Sequence, residues 1–182
     1  HGDVIAGFVV GSAEFCTEVR MFGLKDMTGA VMDPFTSFLI LRGLKTLEIR
    51  MQKHCANAKA VAEFLYNHPA VEKVYYPGLI DHPGHDIARR QMSDFGGMLS
   101  FEVKGGRETG AKLVNALNLI TVAVSLGDAE TLIEHPASMT HSTYTEEELA
   151  ASGIAAGLIR LSAGLENAED IIADLKQALA QL

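Results

Sequence analysis

The residue of this chain best suited to chemistry is an arginine inside an apolar run, Arg160 in Leu158-Ile159-Arg160-Leu161-Ser162-Ala163-Gly164. A guanidinium stays charged at any working pH and offers a planar fork of donors, which suits a carboxylate or phosphate held bidentately. The competing account is internal, an arginine paired with a structural Asp or Glu, since buried ions are usually paired within the protein. Taken alone, the residue leaves both open. Three further polar groups follow or end apolar runs: Ser125 in Ala123-Val124-Ser125-Leu126-Gly127-Asp128, Thr140 in Met139-Thr140-His141, and the pair Lys25-Asp26. Such groups at strand ends often converge on one crevice in α/β proteins, and they equally often cap unrelated turns.

Other chemistries find no support. His82 and His85 straddle Pro83-Gly84 with no third ligand at a convincing spacing, so loop histidines explain them better than a metal pair. His135 and His141 flank a Pro-containing stretch without an HExxH pattern, and no GxSxG elbow is present. The glycine pairs 96–97 and 105–106 lack both the P-loop lysine and dinucleotide-binding spacing and read as turns. The irregularly spaced methionines Met21, Met27, Met32 and Met51 read as core filler.

The elements that must position these groups alternate between two periods. Leu158 to Ala163 reads as a strand with Ile159, Leu161 and Ala163 on one side and Leu158, Arg160 and Ser162 on the other. Strands are also predicted over 71–76, 97–103 and 120–124. A helix over 107–117 would turn Ala111, Val114 and Leu117 inward, and the last helix would bury Ile171, Ile172, Leu175 and Leu179. Thr145 with Glu148 fits a capping box, and Asn167 with Asp170 suggests the same device. Upstream, Val4 to Val10 reads as a β-branched strand, 13–24 as a short helix and 23–32 as a loop. Asp33-Pro34 is a strong helix start, followed by a helical pattern to about His68 that is too long for one helix without a break near Gly43. From about residue 70 onward the alternation predicts an α/β layer domain.

Composition bounds the partner. With 182 residues and 48% hydrophobic content the chain can bury a real core, and a net charge of −8 without a Lys/Arg cluster argues against nucleic acid or an anionic membrane surface. No apolar stretch approaches a membrane span, and a small-molecule partner is expected. Two cysteines, Cys16 and Cys55, without CxxC spacing point to free thiols and a reducing cytoplasm. The chain opens on His1-Gly2-Asp3 without an initiator methionine or a signal-peptide pattern, directly into a strand that wants neighbours, so a missing upstream part is expected.

Together these segments resemble the pyridoxal-phosphate enzymes of cysteine and methionine metabolism, the family of cystathionine gamma-lyase and methionine gamma-lyase. The matching motifs are His1-Gly2-Asp3-Val4, Arg42-Gly43-Leu44-Lys45-Thr46-Leu47, Arg50-Met51, Tyr76-Pro77-Gly78-Leu79, Ser125-Leu126-Gly127, Pro136-Ala137-Ser138-Met139-Thr140-His141 and Leu158 to Glu166, in the expected order over nearly the whole chain. The resemblance implies a fold-type I, transferase-like α/β architecture of which this is the C-terminal portion. Residues 1–33 would be the tail of the large cofactor domain, 34–69 a long linking helix region, and 70–182 the small α/β domain. It implies that Arg160 binds the substrate α-carboxylate, that Ser125 shares that pocket, and that Thr140 and Val124 line the substrate site. Cystathionine gamma-lyases commonly carry glutamate where Val124 stands, and the apolar side chain suits a thioether tail, so the resemblance leans to methionine gamma-lyase. Lys25 and Asp26 would belong to that enzyme's active-site polar network.

The family's Schiff-base lysine lies a few residues upstream of the segment matching His1-Gly2-Asp3, with the phosphate-binding hydroxyls and the aspartate that meets the pyridine nitrogen. This chain alone is therefore expected to hold no catalytic lysine and to be inactive. The implied chemistry of the intact subunit is γ-elimination, giving methanethiol, 2-oxobutanoate and ammonia from methionine. Pyridoxal 5'-phosphate would sit on the upstream part of the subunit, the assembly would be a homotetramer, and no metal is expected. A cystathionine or homocysteine lyase, or a γ-synthase, is the alternative within the family, and a non-catalytic α/β binding or assembly module the alternative outside it.

Overall fold

The computed structural model describes residues 1–182, which group into two compact units, residues 3–47 with His1 and residues 48–182 with Gly2. In the first unit, helix α1 (Ala13–Glu18) is capped by Ser12, whose hydroxyl accepts from the Phe15 N–H. It runs on as a π-helix over Val19–Thr28, where a loop is expected from residue 23, and closes at Gly29, whose N–H donates to Leu24 O at 2.7 Å. Gly29 adopts φ 63°, a left-handed conformation that glycine takes without steric cost. Asp33 caps helix α2 (Pro34–Leu44) as expected, its Oδ1 accepting from the Phe35 and Thr36 N–H groups at 2.9 and 3.0 Å.

The strand expected over 4–10 is absent, and Ile5 and Val10 are fully or almost fully exposed. Extended backbone becomes a strand only against a partner, and none of the chain's five strands pairs with this segment. No side chain of residues 3–47 is buried, and Phe8, Phe35, Phe38 and Leu41 all face outward.

The expected break falls where Gly43 precedes a turn at Lys45-Thr46, after which helix α3 (Leu47–Tyr66) begins. The second unit is built on a five-stranded sheet in the order β1 (Val71–Tyr75), β2 (Met98–Val103), β5 (Leu158–Ser162), β4 (Leu132–Glu134), β3 (Thr121–Val122). All neighbours are antiparallel except β3 and β4. Strand β4 has no counterpart in the sequence reading, because three residues are too few to show a period of two.

Helices α3, α5 (Gly106–Asn115) and α7 (Ala168–Leu179) contribute to one core with the strands. Leu99, Ile133 and Leu161 lie side by side across β2, β4 and β5 and are fully buried or nearly so. Each such side chain contributes about 1.5–3 kcal/mol of hydrophobic stabilisation. Helix α3 thus packs its Ala58, Val61, Ala62 and Leu65 into the small-domain core rather than merely linking. In α5 the buried residues are Gly110, Leu113 and Val114, so Ala111 and Leu117 are only partly covered and the expected stripe is rotated. Helices α4 (His85–Gln91) and α6 (Glu146–Ala151) are short, and α6 carries the expected capping box between Thr145 and Glu148. Asn167 caps α7 by accepting from the Glu169 N–H.

His135, just after β4, is fully buried, and its Nε2–H donates to Ala156 O at 2.8 Å, which leaves Nδ1 to accept from the Ser138 hydroxyl at 2.8 Å. Burial first, and the Arg107 charge second, push its pKa below the ordinary histidine value, against a raising effect of the Ala156 bond. A base whose folded pKa is depressed binds fewer protons folded than unfolded, so its contribution is present at neutral pH and is lost as pH falls below about 6.5. Thermal unfolding should therefore drop more between pH 7 and 5.5 in the native protein than in His135→Gln, and equal slopes would refute this assignment.

Candidate functional site

The site begins with the two-residue alternation of β5. Ile159 and Leu161 enter the core, which turns Arg160 and Ser162 to the opposite face of the sheet. The antiparallel register then sets Ser100 of β2 and Glu134 of β4 directly beside Arg160, one on each side. Arg160 Nη1 forms an ion pair with Glu134 Oε1 at 2.9 Å. The guanidinium side chain remains 28% exposed while Glu134 is buried. Glu134 is the residue that sequence reasoning missed. Its signal lies in register, since a carboxylate inside a three-residue strand carries no spacing relation to Arg160.

The other arm of the guanidinium reaches the loop after β3. Nη2 donates to Ser125 O at 3.0 Å and Val124 O at 3.3 Å. Ser162, two residues along β5, accepts from the Gly127 N–H at 2.9 Å. Residues 160 and 162 therefore tie residues 124–127 to the sheet from one strand face. Gly127 turns this loop with φ 77°. Arg160, Ser125 and Val124 are thus brought together, through the backbone carbonyls of the latter two, while the Val124 side chain is exposed.

Behind β5, helix α3 and the segment before β4 hold its C-terminal exit. His54 Nδ1 lies 2.6 Å from Ala163 O, and the Asn57 amide donates to Gly164 O and Glu166 O at 2.9 and 2.8 Å. Thr131 donates through both N–H and hydroxyl to the Glu166 carboxylate and accepts from the Gly164 N–H. A β-carbon at Gly164 would collide with the backbone around Glu130 and Thr131, so only glycine allows this approach. The Leu158 to Glu166 motif is thus fastened at both ends of its polar face.

Thr140 is not joined to this cluster. Its hydroxyl bonds the His141 ring at 2.9 Å, and the His141 ring packs edge-on against Tyr144. The loop that carries it is held by Arg107, which donates to Ala137 O at 2.6 Å and Tyr144 O at 2.9 Å and pairs with Glu146 at 3.0 Å. Lys25 and Asp26 pair with each other at 3.5 Å within the π-helix, both largely exposed. His82 and His85 are bonded within their own loop, to the Gly84 N–H and Pro77 O respectively.

The arrangement around Arg160 suits a small carboxylate. It does not make a cradle for pyridoxal phosphate. Arg160 meets Glu134, Val124 and Ser125, with no lysine among its partners. Among the lysines, Lys25 pairs with Asp26, Lys73 lies over the Tyr75 ring, and Lys104 and Lys112 are spent on the Pro69 and Gln181 carbonyls. No reaction step on that group can be assigned to these residues.

Residues 1–180 match the profile of a family described as Cys/Met metabolism PLP-dependent enzymes. The chain is 63% identical over 182 residues to the L-methionine gamma-lyase of Fusobacterium nucleatum subsp. polymorphum, covering 100% of this chain and 46% of that protein. It is 64% identical over 182 residues to the L-methionine gamma-lyase of Treponema denticola, covering 100% of this chain and 45% of that one. Among solved structures, the cystathionine gamma synthase of Xanthomonas oryzae pv. oryzae in complex with aminoacrylate and cysteine superposes with a TM-score of 0.85 at 46% identity, over 93% of this chain and 43% of that chain. The chain spans a little under half the length of each relative.

Proposed function

The chain belongs to the Cys/Met metabolism PLP-dependent enzymes, and from that premise we propose that it is the C-terminal part of an L-methionine gamma-lyase, converting methionine to methanethiol, 2-oxobutanoate and ammonia. Membership gives it the α/β architecture of the fold-type I pyridoxal-phosphate enzymes. In this reading residues 1–33 end the large cofactor domain, 34–69 link, and 70–182 are the small domain. Pyridoxal 5'-phosphate is held by the upstream part of the subunit. Arg160 binds the α-carboxylate and fixes the orientation of the amino acid. Ser125 shares that site, and family membership assigns to it Thr140, on its separate loop, and the polar pair Lys25 and Asp26.

The observation that carries the choice of substrate is the exposed, apolar Val124 on a loop that Arg160 itself holds through the Val124 carbonyl. A thioether tail suits that side chain, and a second charged amino-acid head group does not. The exposed phenylalanines and leucines of residues 3–47 support an assembly that covers them, which the proposal takes to be the rest of the subunit within a homotetramer. No helix is long and apolar enough to cross a membrane, both cysteines are free, and the proposed location is the cytoplasm.

The test is product analysis with the full-length subunit loaded with pyridoxal 5'-phosphate. L-Methionine should yield methanethiol and 2-oxobutanoate with kcat/KM at least about tenfold above that for cysteine release from L-cystathionine, a factor of about 1.4 kcal/mol in transition-state stabilisation. A lyase that prefers cystathionine is the second reading, because a similar solved enzyme, a cystathionine gamma synthase, holds cystathionine, and finding the opposite order would replace the first.

A further inference from the structure

We propose that Glu134 is a positioning residue that orients the Arg160 fork and offsets its charge, so that the carboxylate site holds its ligand loosely enough to exchange substrate and product. The inference rests on Arg160 binding the substrate carboxylate. Glu134 lies opposite Arg160 in the β4–β5 register and gives Oε1 to Nη1 at 2.9 Å. It is 3% exposed, and its Oε2 is buried without any hydrogen-bond partner. A carboxylate kept this way is expensive to bury, and a neutral acceptor would orient Nη1 equally well. What the charge adds is cancellation. With Nη1 on Glu134 and Nη2 on the carbonyls of residues 124 and 125, Nε–H and one Nη1–H remain for a ligand, on a guanidinium whose charge is already balanced.

Because orientation and charge are separable, so are the variants. Glu134→Gln keeps the acceptor and removes the charge, whereas Glu134→Ala removes both. In the full-length holoenzyme, norleucine reports carboxylate binding without a cleavable C–S bond, and norleucinamide is the same molecule without the carboxylate. Glu134→Gln should tighten norleucine about tenfold while leaving norleucinamide unchanged, the order expected when one like charge is removed from a half-buried site. Glu134→Ala should bind norleucine more weakly than Glu134→Gln. A merely structural role would move both ligands together.

Arg160→Lys separates the two levels of the argument. If it weakens norleucine but not norleucinamide, and Glu134→Gln leaves the ratio of the two affinities unchanged, the clamp stands and the role given to Glu134 is overturned. If Arg160→Lys leaves norleucine binding unchanged, the clamp reading fails and takes this inference with it. A measurement on the native protein needs no variant at all. The norleucine to norleucinamide ratio should change less than about twofold between low salt and about 0.5 M NaCl, because a neutral pair presents little net field to screen, and a steep fall would overturn the proposal.

Discussion

Arg160→Lys in the full-length holoenzyme should lower kcat/KM for L-methionine by about a hundredfold, roughly 2.7 kcal/mol of lost transition-state stabilisation. Lysine preserves the charge but replaces a planar fork by a point donor on a flexible stem. Two consequences follow from the Arg160 contacts. One Nζ cannot serve Glu134, Val124 O, Ser125 O and a ligand at once, so the 124–127 loop loses one of its ties to β5 and keeps that of Ser162. KM should rise because the carboxylate loses the guanidinium donors left for it, and kcat should fall because the amino acid is no longer held in one orientation. Arg160→Ala is a poorer probe, since it strands the buried Glu134 carboxylate without a counter-charge, a change that costs about 3–5 kcal/mol in stability. Unaltered kcat and KM in Arg160→Lys would remove Arg160 from the substrate site.

Outside the proposed site, the largest effect on stability should come from Asp174→Ala in α7. Its Oδ1 accepts from the Asn118 N–H and its Oδ2 from the Leu119 and Ile120 N–H groups, all at 2.9 Å, and Gln177 Nε2 adds a fourth bond at 3.0 Å. One carboxylate thus satisfies the backbone turn that leads from α5 into β3. Removing it leaves donors without acceptors in a part-buried turn, and the expected loss is about 3 kcal/mol, read as a lower denaturant midpoint with an unchanged slope. Burial acts to raise the Asp174 pKa, but the three backbone donors and Gln177 outweigh it and hold the carboxyl below its ordinary value. A depressed acid stabilises the fold above its unfolded pKa, and that stability drains as pH falls from about 4 through the lower folded value. Native protein and Asp174→Ala should therefore converge in stability on strong acidification. A constant gap down to pH 2 would show that the charge of Asp174 contributes nothing.

Much of the site was legible because its cues are local. The alternation around Arg160 assigns it to the face opposite Ile159 and Leu161 whatever the neighbours are, since successive side chains of a strand must point to opposite sides. The caps at Asp33, Thr145 and Asn167 are equally local, each a side chain meeting N–H groups two or three residues on. Local cues failed where a partner distant in sequence decides. Val4 to Val10 has strand composition but no strand beside it, and β4 has too few residues for a pattern yet is a strand because β5 and β3 flank it. The second half of the π-helix, from Gly23 to Thr28, reads as a loop because its glycine and polar residues are poor helix formers.

Sequence by itself determined that a permanently charged planar donor stands on a strand face with Ser162, within motifs of one enzyme family. Only the tertiary structure decided what that charge meets. Glu134 and Arg160 are far apart along the chain, and the β4–β5 register makes them cross-strand neighbours. Thr140, equally prominent in sequence, faces its own loop instead. Two accounts of Arg160, a ligand clamp and an internal ion pair, stand as alternatives in the sequence. The structure shows the ion pair and leaves donors for the proposed clamp, because a guanidinium has five and Glu134 takes only one of them.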